Sequence, residues 1–290
     1  MIIAFKTDVD GVLLACSALK EHPDAELVFA KDRRELERKL TFSGTEDEVV
    51  RLGFTPIAGT KNLIREVLGK CPAKMSRTDT SPVQYIDLVL RHSKANPAEL
   101  VRLIVSCNGS AEHLYTGKSK LARRYYNYMR DVTRAWQRMC MFARPDFVNG
   151  IQTVDIDSPH DVADIFCRWL AKKNPDVPVA VIFGNAAWVG NGELVGLDHF
   201  TKTAAAFVKS LRTSLSSKDK EADEVEGLWD VFYNSQMIES RRNRHLASKM
   251  QPKSSAGMSK MAKADRYKVE RGISNCTLEM FVGDAREVSV

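Results

Sequence analysis

The chain has 290 residues, of which 44% are hydrophobic and 28% charged, and its formal net charge is +6. These values are typical of a globular protein and exclude collagen-like and disordered chains. The excess of positive charge suits an anionic partner. No apolar run approaches the ~20 residues of a membrane span, and the start of the sequence has the pattern of a buried strand, not of a secretory leader. We therefore expect a cytoplasmic protein with no membrane segment.

The six cysteines are expected to be reduced thiols. No two form a C-x-x-C pair, and no histidine lies at a zinc-ligand spacing from any of them. Cys140 and Cys167 lie inside helical patterns, which is typical of small buried hydrophobes. The sequence therefore predicts neither a metal site nor a cofactor.

The beginning of the chain predicts a strand–helix–strand unit. Residues 1–5 form an apolar strand, a helix follows Gly11, and residues 27–30 form a second strand. Asp8 and Asp10 precede the helix and could bind a metal or act in acid–base chemistry. A helix-capping role is favoured, because aspartate oxygens accept the free N–H groups of a helix start. Four further helices are then predicted, at residues 45–53, 60–70, 82–92 and 97–107.

Residues 118–144 form the longest helical pattern, and it is strongly basic. At about 100° per residue, one face carries apolar side chains, and Arg123, Arg130, Arg134 and Arg138 fall on the opposite side. The apolar face consists of Leu121, Tyr125, Tyr128, Val132, Ala135, Met139 and Phe142. Two interpretations of the arginine face remain open, a solvated surface and a phosphate-contacting one. The near-absence of acids favours the second, because solvated faces usually mix signs.

The second half of the chain returns to strands. Residues 151–156 and 177–183 are predicted strands, and Pro159 is predicted to open a helix between them, with Ser158 as its N-cap. Residues 185–196, which include Trp188, are either a ligand loop at the end of a buried strand or a plain hairpin. Two more helices are predicted, at residues 197–214 and 224–246.

These elements predict an α/β or α+β fold with a small central sheet and a helical majority. We expect one globular domain over residues 1–252, with strands from both halves in a single sheet and a helical insertion at about residues 45–144. Residues 253–290 are predicted to be a basic, flexible C-terminal segment. This segment either orders on nucleic acid or serves as a solubilising tail.

No familiar catalytic motif is present. The sequence contains no G-x-S-x-G, no H-E-x-x-H and no Walker loop. His160 and Asp161 are the candidates for proton transfer, although for His160 a surface role in the first turn of a helix is favoured.

Four segments of the chain together carry a resemblance to a known family. The first is the run Asp10-Gly11-Val12-Leu13-Leu14, and another is a strand, a proline and a helix over residues 151–169. The basic helix contributes Val132, Arg138, Met139, Phe142 and Arg144. The most specific motif is Leu228-Trp229, Ile238-Glu239 and the triplet Arg241-Arg242-Asn243, with Pro252 beyond. In chain order the segments resemble a bacterial family of DNA repair or DNA metabolism proteins that is built around a domain of unknown function.

The resemblance implies a place in DNA modification or repair. Members of that family accompany a radical-SAM protein, and some are fused to a uracil-DNA-glycosylase-like domain. This chain departs from the family at four positions. Ala135 and Gln137 stand where an acid and a histidine are usual, Arg168 replaces a histidine, and Gly184 replaces an aspartate.

Three hypotheses follow for function. The first is a nucleic-acid-binding protein that acts on DNA beside a radical-SAM or glycosylase-type partner. Its phosphate contacts would be Arg123, Arg130, Arg134, Arg138, Arg144, Arg241, Arg242 and Asn243. The second is an enzyme acting on a DNA base, with Trp136, Trp188, Tyr125 or Tyr126 stacking on that base. The third is a scaffold whose basic surface binds an acidic protein.

Overall fold

The computed structural model describes residues 1–43, 48–54, 60–69, 80–117, 119–148, 150–214, 266–267 and 270–271. The chain divides into two compact units, unit 1 (residues 1–134 and 159–161) and unit 2 (residues 135–158 and 162–290). The predicted boundary at residue 252 lies outside the described residues and stays a prediction. Helices predominate over two small sheets, so the predicted mixed fold with a helical majority is confirmed.

Unit 1 is built on a three-stranded parallel sheet in the order β2-β1-β3. Its strands are β1 (Ile2–Lys6), β2 (Glu26–Ala30) and β3 (Val49–Leu52). Its helices are α1 (Val9–Glu21), α2 (Arg33–Ser43), α3 (Thr60–Leu68), α4 (Pro82–Leu90), α5 (Pro97–Ser106), α6 (Ala111–Thr116) and the first part of α7 (Lys120–Phe142).

The central strand β1 is buried on both faces, which explains its unbroken apolar sequence. Because strand side chains alternate, Ile3 and Phe5 enter a large core with α1 and α5, whereas Ala4 packs with Leu36 of α2 on the other face. Unit 1 is therefore a sheet covered by helices on both sides.

The turn between β1 and α1 confirms the predicted capping role of Asp8. Its carboxylate accepts the backbone N–H of Gly11 at 2.8 Å and pairs with Lys6 at 2.8 Å. A Cβ atom on Gly11 would lie 2.1 Å from the carbonyl oxygen of Lys6. Glycine is therefore required here, because the helix start and the strand end approach too closely for any side chain.

The predicted helix at residues 45–53 is wrong, because its described part contains strand β3. Val49 and Val50 pair in parallel with Ile2 and Ile3 of β1. Four residues are too few for a periodicity to separate strand from helix, so pairing with β1 decides the conformation.

Unit 2 contains a five-stranded mixed sheet in the order β4-β5-β6-β7-β8. Its strands are β4 (Asp146–Val148), β5 (Ile151–Asp155), β6 (Val179–Phe183), β7 (Ala186–Gly190) and β8 (Phe200–Ala204). Helix α8 (Ala163–Lys173) connects the parallel pair β5 and β6, and α9 (Ala205–Ser214) follows β8. The predicted single sheet is therefore wrong, because the strands of the two halves belong to separate sheets.

Two helices cover opposite faces of this sheet. Ala187 and Val189 of β7 pack with Val208 of α9, whereas the intervening positions of β7 face α8. A Cβ atom on Gly190 would lie 2.7 Å from the Cβ atom of Ala171 in α8, so glycine allows the helix to approach the strand closely.

Two predicted helices in unit 2 begin later than the sequence pattern indicates, and the predicted hairpin is found. The helix predicted at Pro159 begins only at Ala163, and Val162, not Ser158, is its N-cap. Residues 200–204 of the predicted helix 197–214 form strand β8, which is held by antiparallel pairing with β7. Residues 185–196 form strand β7 and a 3₁₀ turn, which confirms the plain hairpin with β6.

Asn191, directly after β7, forms hydrogen bonds to the end of α8 and the turn that follows it. It adopts a left-handed conformation, with φ 54°, and is 6% exposed. Its Nδ2 donates to the carbonyl oxygens of Ala171 (3.2 Å), Asn174 (2.8 Å) and Val177 (2.9 Å). One amide thus donates to three backbone carbonyl groups that leave water on folding, and those of Ala171 and Asn174 also accept a backbone N–H.

Replacing this amide by a carboxylate should destabilise the protein. Asn191→Asp keeps the side-chain shape but removes the donor, so three carbonyl groups lose this hydrogen bond and face a negative charge. We expect a loss of about 2–4 kcal/mol in the free energy of unfolding, measured by urea denaturation. Asn185→Asp makes the same chemical change at an exposed residue and should cost less than about 0.5 kcal/mol. Equal stability of the two variants would contradict this role for Asn191.

Candidate nucleic-acid interface

The inward face of α7 is the one that the sequence predicts. Tyr125, Val132 and Met139 are almost fully buried, and the other four predicted inward residues are half-buried. Tyr125 donates its hydroxyl to the carbonyl oxygen of Asn96 at 2.9 Å. Its ring therefore has no face open to a nucleic-acid base, which removes it from the candidates for stacking.

The outward face carries four exposed arginines, which we call the α7 arginine row. They are Arg123, Arg130, Arg134 and Arg138. Their spacing of seven, four and four residues keeps them on one side of the helix, and the last three follow one another at intervals of about 6 Å along its axis. The first three belong to unit 1, and the unit boundary falls within α7 just after Arg134.

The row keeps most of its positive charge. Arg134 lies 3.6 Å from Asp131, and both side chains are about half exposed, so this pair contributes little energy. Arg130 lies over the ring of Tyr126, with its guanidinium carbon 5.8 Å from the ring centre. Neither Arg123 nor Arg138 forms an ion pair within the described part of the chain. An incoming phosphate would therefore displace little existing structure.

The other residues that the sequence predicts to contact nucleic acid differ in their exposure. Arg144 is exposed, and its Nη1 donates to the carbonyl oxygens of Met141 and Ala143 at the end of α7. Trp136 is half-buried, and its indole N–H is buried without an acceptor among the described residues. The triplet Arg241, Arg242 and Asn243 lies outside the described residues.

His160 does not open a helix but joins a stack of three rings in unit 1. The ring of His92 lies between that of Tyr128, at 4.0 Å between centroids, and that of His160, at 4.4 Å. Asp161 is exposed and fixes this segment to the end of α4, since its N–H donates to the carbonyl oxygen of Arg91 at 2.9 Å. Sequence reasoning missed His92 and Tyr128, because nothing local links them to His160.

Both imidazoles accept a backbone hydrogen bond at Nδ1. The N–H of Lys94 donates to His92 at 3.1 Å, and that of Ser93 donates to His160 at 3.4 Å. A neutral ring that accepts at Nδ1 carries its proton on Nε2. Burial lowers the pKa of His92, and His160 lowers it further, whereas Asp131 acts in the opposite direction. Burial likewise lowers the pKa of His160.

Trp188 lies within a group of aromatic and cationic side chains in unit 2, which we call the Trp188 patch. Its ring stacks on that of Phe200, with centroids 4.8 Å apart and planes at 15°. The guanidinium carbon of Arg168 lies 3.7 Å from the centre of Phe200, on the same face of the sheet. Lys202 lies 5.8 Å from the Trp188 ring and 5.5 Å from that of Phe183.

The described cysteines are suited to structural roles. Cys16, Cys107, Cys140 and Cys167 are free thiols, and Cys71 and Cys276 lie outside the described residues. Burial raises the pKa of Cys140 to about 11 and that of Cys167 to about 12. Since the thiolate is the reactive form, these two side chains are poor nucleophiles at neutral pH.

The described residues contain no group of three or more His, Cys, Asp or Glu side chains that could hold a metal ion. No helix formed by them has the length and apolar character needed to cross a bilayer.

The model of a family described as a domain of unknown function, DUF4130, matches residues 96–255, more than half of the chain. The chain belongs to the DUF4130 family. No curated protein and no solved structure matches it. The DUF4130 region contains the α7 arginine row, His160 and the whole Trp188 patch, whereas His92 lies just before it.

The ring stack predicts that stability falls in mild acid. Protonation would place a hydrogen on Nδ1 of His92 or His160, where each now accepts an N–H. The folded pKa values lie below the ordinary value of 6.5, so the unfolded chain binds more protons below that pH. We expect the free energy of unfolding to decrease as pH falls from about 7 to about 5.5, measured by denaturation at each pH.

Variants at the stack test this assignment. The double variant His92→Gln/His160→Gln removes both titrating groups and should flatten the pH dependence over that interval, whatever its absolute stability. Tyr128→Phe keeps the stacked ring and both histidines, so it should retain the wild-type slope. An unchanged slope in the double variant would assign the effect to other groups.

Proposed function

We propose that the protein binds nucleic acid through the α7 arginine row, and that it acts in DNA modification or repair beside a radical-SAM or glycosylase-type partner in the cytoplasm. The observation that carries the proposal is the run of four exposed arginines on one side of a helix whose other side is buried. Phosphate neutralisation by arginine and lysine dominates the affinity of proteins for nucleic acid.

The geometry of the row fits a phosphate backbone. Successive arginines from Arg130 to Arg138 are about 6 Å apart along the helix axis, and each strand of a duplex carries one phosphate per about 3.4 Å of duplex axis, so the row can reach several phosphates. Arginine also presents a planar fork of donors that matches the oxygens of a phosphate. The helix therefore offers a series of contacts that depends on the backbone and not on the base sequence.

The partner and the process rest on the resemblance alone. The segments that carry it include Arg138 and Arg144 of the basic helix, and Arg138 belongs to the row that supports phosphate binding. The family resemblance and the physical argument therefore meet on the same helix. The scaffold hypothesis predicts that the row binds an acidic protein with no nucleic acid present, and purification with and without nuclease separates the two.

Removing two charges from the row should weaken DNA binding and its dependence on salt. We expect Arg130→Gln/Arg134→Gln to reduce affinity for a DNA duplex at low salt by about tenfold or more. The slope of log affinity against log salt should decrease in magnitude by about 1.8, since each lost phosphate contact contributes about 0.9. Filter binding or a mobility shift over a salt series gives both values.

A matched variant separates a local effect from net charge. Arg33→Gln/Arg34→Gln removes the same charge from exposed residues of α2 and should leave the slope unchanged. Equal losses in the two double variants would show that only the overall charge matters. Absence of binding at low salt in the wild-type protein would remove the proposal.

A second candidate function is an enzyme that acts on a DNA base, and the ring stack favours it. The imidazoles of His92 and His160 lie against each other. Burial lowers the pKa of both, whereas Asp131 raises it. Such opposing effects on neighbouring titratable groups are typical of sites of proton transfer. Incubation of DNA with the protein, with and without a radical-SAM partner, followed by mass spectrometry of the nucleosides, tests this function. A changed profile that His160→Gln abolishes supports it, and an unchanged profile counts against it.

A further inference from the structure

We infer that the Trp188 patch is a binding surface for unpaired nucleotides, formed within unit 2 alone. The inference rests on the proposed nucleic-acid binding and adds that the bound strand is single and not part of a duplex. It assigns phosphate contacts to Arg168 and Lys202 and base stacking to the aromatic rings between and beside them.

The register of the strands places those residues of the patch that belong to β6, β7 and β8 on one face of the sheet. Phe200 pairs with Gly190, and Lys202 pairs with Trp188. Directly paired residues of neighbouring strands project to the same side. Gly190 lies against α8, so Trp188, Phe200 and Lys202 share the face that α8 partly covers. Phe183, two residues beyond the partner of Trp188 on β6, lies on that face as well.

The side chains form a ladder of cation–ring and ring–ring contacts. Arg168 stands over Phe200, Phe200 stacks on Trp188, and Lys202 lies near both Trp188 and Phe183. Both cations are exposed, and the three rings are half-buried. Partial exposure of three aromatic rings on one sheet face, between two charged groups, is the composition of surfaces that bind single strands.

Positive charge predominates near the rings. Strands β6, β7 and β8 contain Lys202 as their single charged residue. On α8, Arg168 has Asp164 one turn before it and the exposed Lys172 one turn after it. The rings are therefore accompanied by a net positive charge, which suits an anionic backbone running beside them.

Aromatic stacking requires bases whose faces are open. In a duplex each base is covered above and below by its neighbours, and only edges and backbone are accessible. An unpaired base can stack on an aromatic ring or on a guanidinium plane, whatever its identity. The patch should therefore favour single strands over duplex and show little preference for sequence.

The alternative is that the ladder only holds the edge strand β8 onto β7. Cross-strand aromatic pairs stabilise sheets by themselves, and cations over rings add to this. Under that alternative the patch makes no contact with bases, so removal of the bases from a ligand would change nothing.

The deciding experiment compares two ligands with the full chain. Fluorescence anisotropy would measure binding of an oligothymidylate about 16 nucleotides long and of an abasic strand of the same length. Both carry the same phosphates, and only the first has bases. We expect the oligothymidylate to bind roughly tenfold more tightly, since stacking of each base contributes strongly to single-strand affinity. Equal affinities would overturn the inference but leave phosphate binding intact, whereas absence of binding to either strand and to a duplex at low salt would overturn the proposed function with it.

Two matched tryptophan variants test whether the difference in affinity between the two ligands depends on the Trp188 patch. Trp188→Leu should abolish the difference between the two ligands, whereas Trp169→Leu, the same change at a half-buried residue of α8 outside the ladder, should keep it. Arg168→Lys retains the charge but loses the planar guanidinium, and should weaken oligothymidylate binding more than binding of the abasic strand. A Trp188→Leu variant that still prefers the oligothymidylate, with an unchanged circular dichroism spectrum, would overturn the inference.

Discussion

Burial of one face of α7 determines where its charges lie. Tyr125, Val132 and Met139 must leave water together because they occupy one side of a 23-residue helix. The arginines interspersed among them are then placed on the other side, where water solvates their charge. A hydrophobic requirement of folding thus produces an ordered row of cations without any interaction among the arginines themselves. Folding alone would produce a row of charged residues, so the row by itself is no evidence for a partner. The near-absence of acids is better evidence for an anionic partner, because solvated helix faces usually carry both signs.

Patterns that are complete within a short stretch of sequence predicted their elements correctly. The face of α7 follows from helical periodicity, the Asp8 cap from one hydrogen bond near in sequence, and strand β6 from an unbroken apolar run. Strands β3 and β8 were missed because they are short and are held by pairing with β1 and β7. Val49 and Val50 of β3 favour a strand, but four residues are too few for their pattern to exclude a helix, so tertiary contacts decide. The two separate sheets could not be predicted either, since alternating strands and helices are compatible with one sheet or with two.

The same distinction applies to the candidate sites. Sequence could nominate Trp188 because an aromatic residue after a buried strand is conspicuous, and His160 because it follows a proline. It could not supply Phe200 or His92, since these become neighbours only through strand register and through the packing of unit 1. Single residues of a site can thus be recognised from type and local position, whereas the groups that stack on them cannot.

Two of the positions at which this chain departs from the family that it resembles, Arg168 and Gly184, lie in or next to the Trp188 patch, and both change its charge. Arg168 stands where a histidine is usual, so a group that titrates near neutral pH is replaced by a permanent planar cation. Gly184 stands where an aspartate is usual, next to Phe183, so a negative charge is absent beside an aromatic ring of the patch. Gly184 also adopts φ 56° in the β6–β7 turn, a conformation that glycine adopts without strain. Compared with the histidine and aspartate that the resemblance leads us to expect, Arg168 and Gly184 give this part of the chain more positive charge and one fewer group that titrates near neutral pH, which suits the proposed binding of an anion.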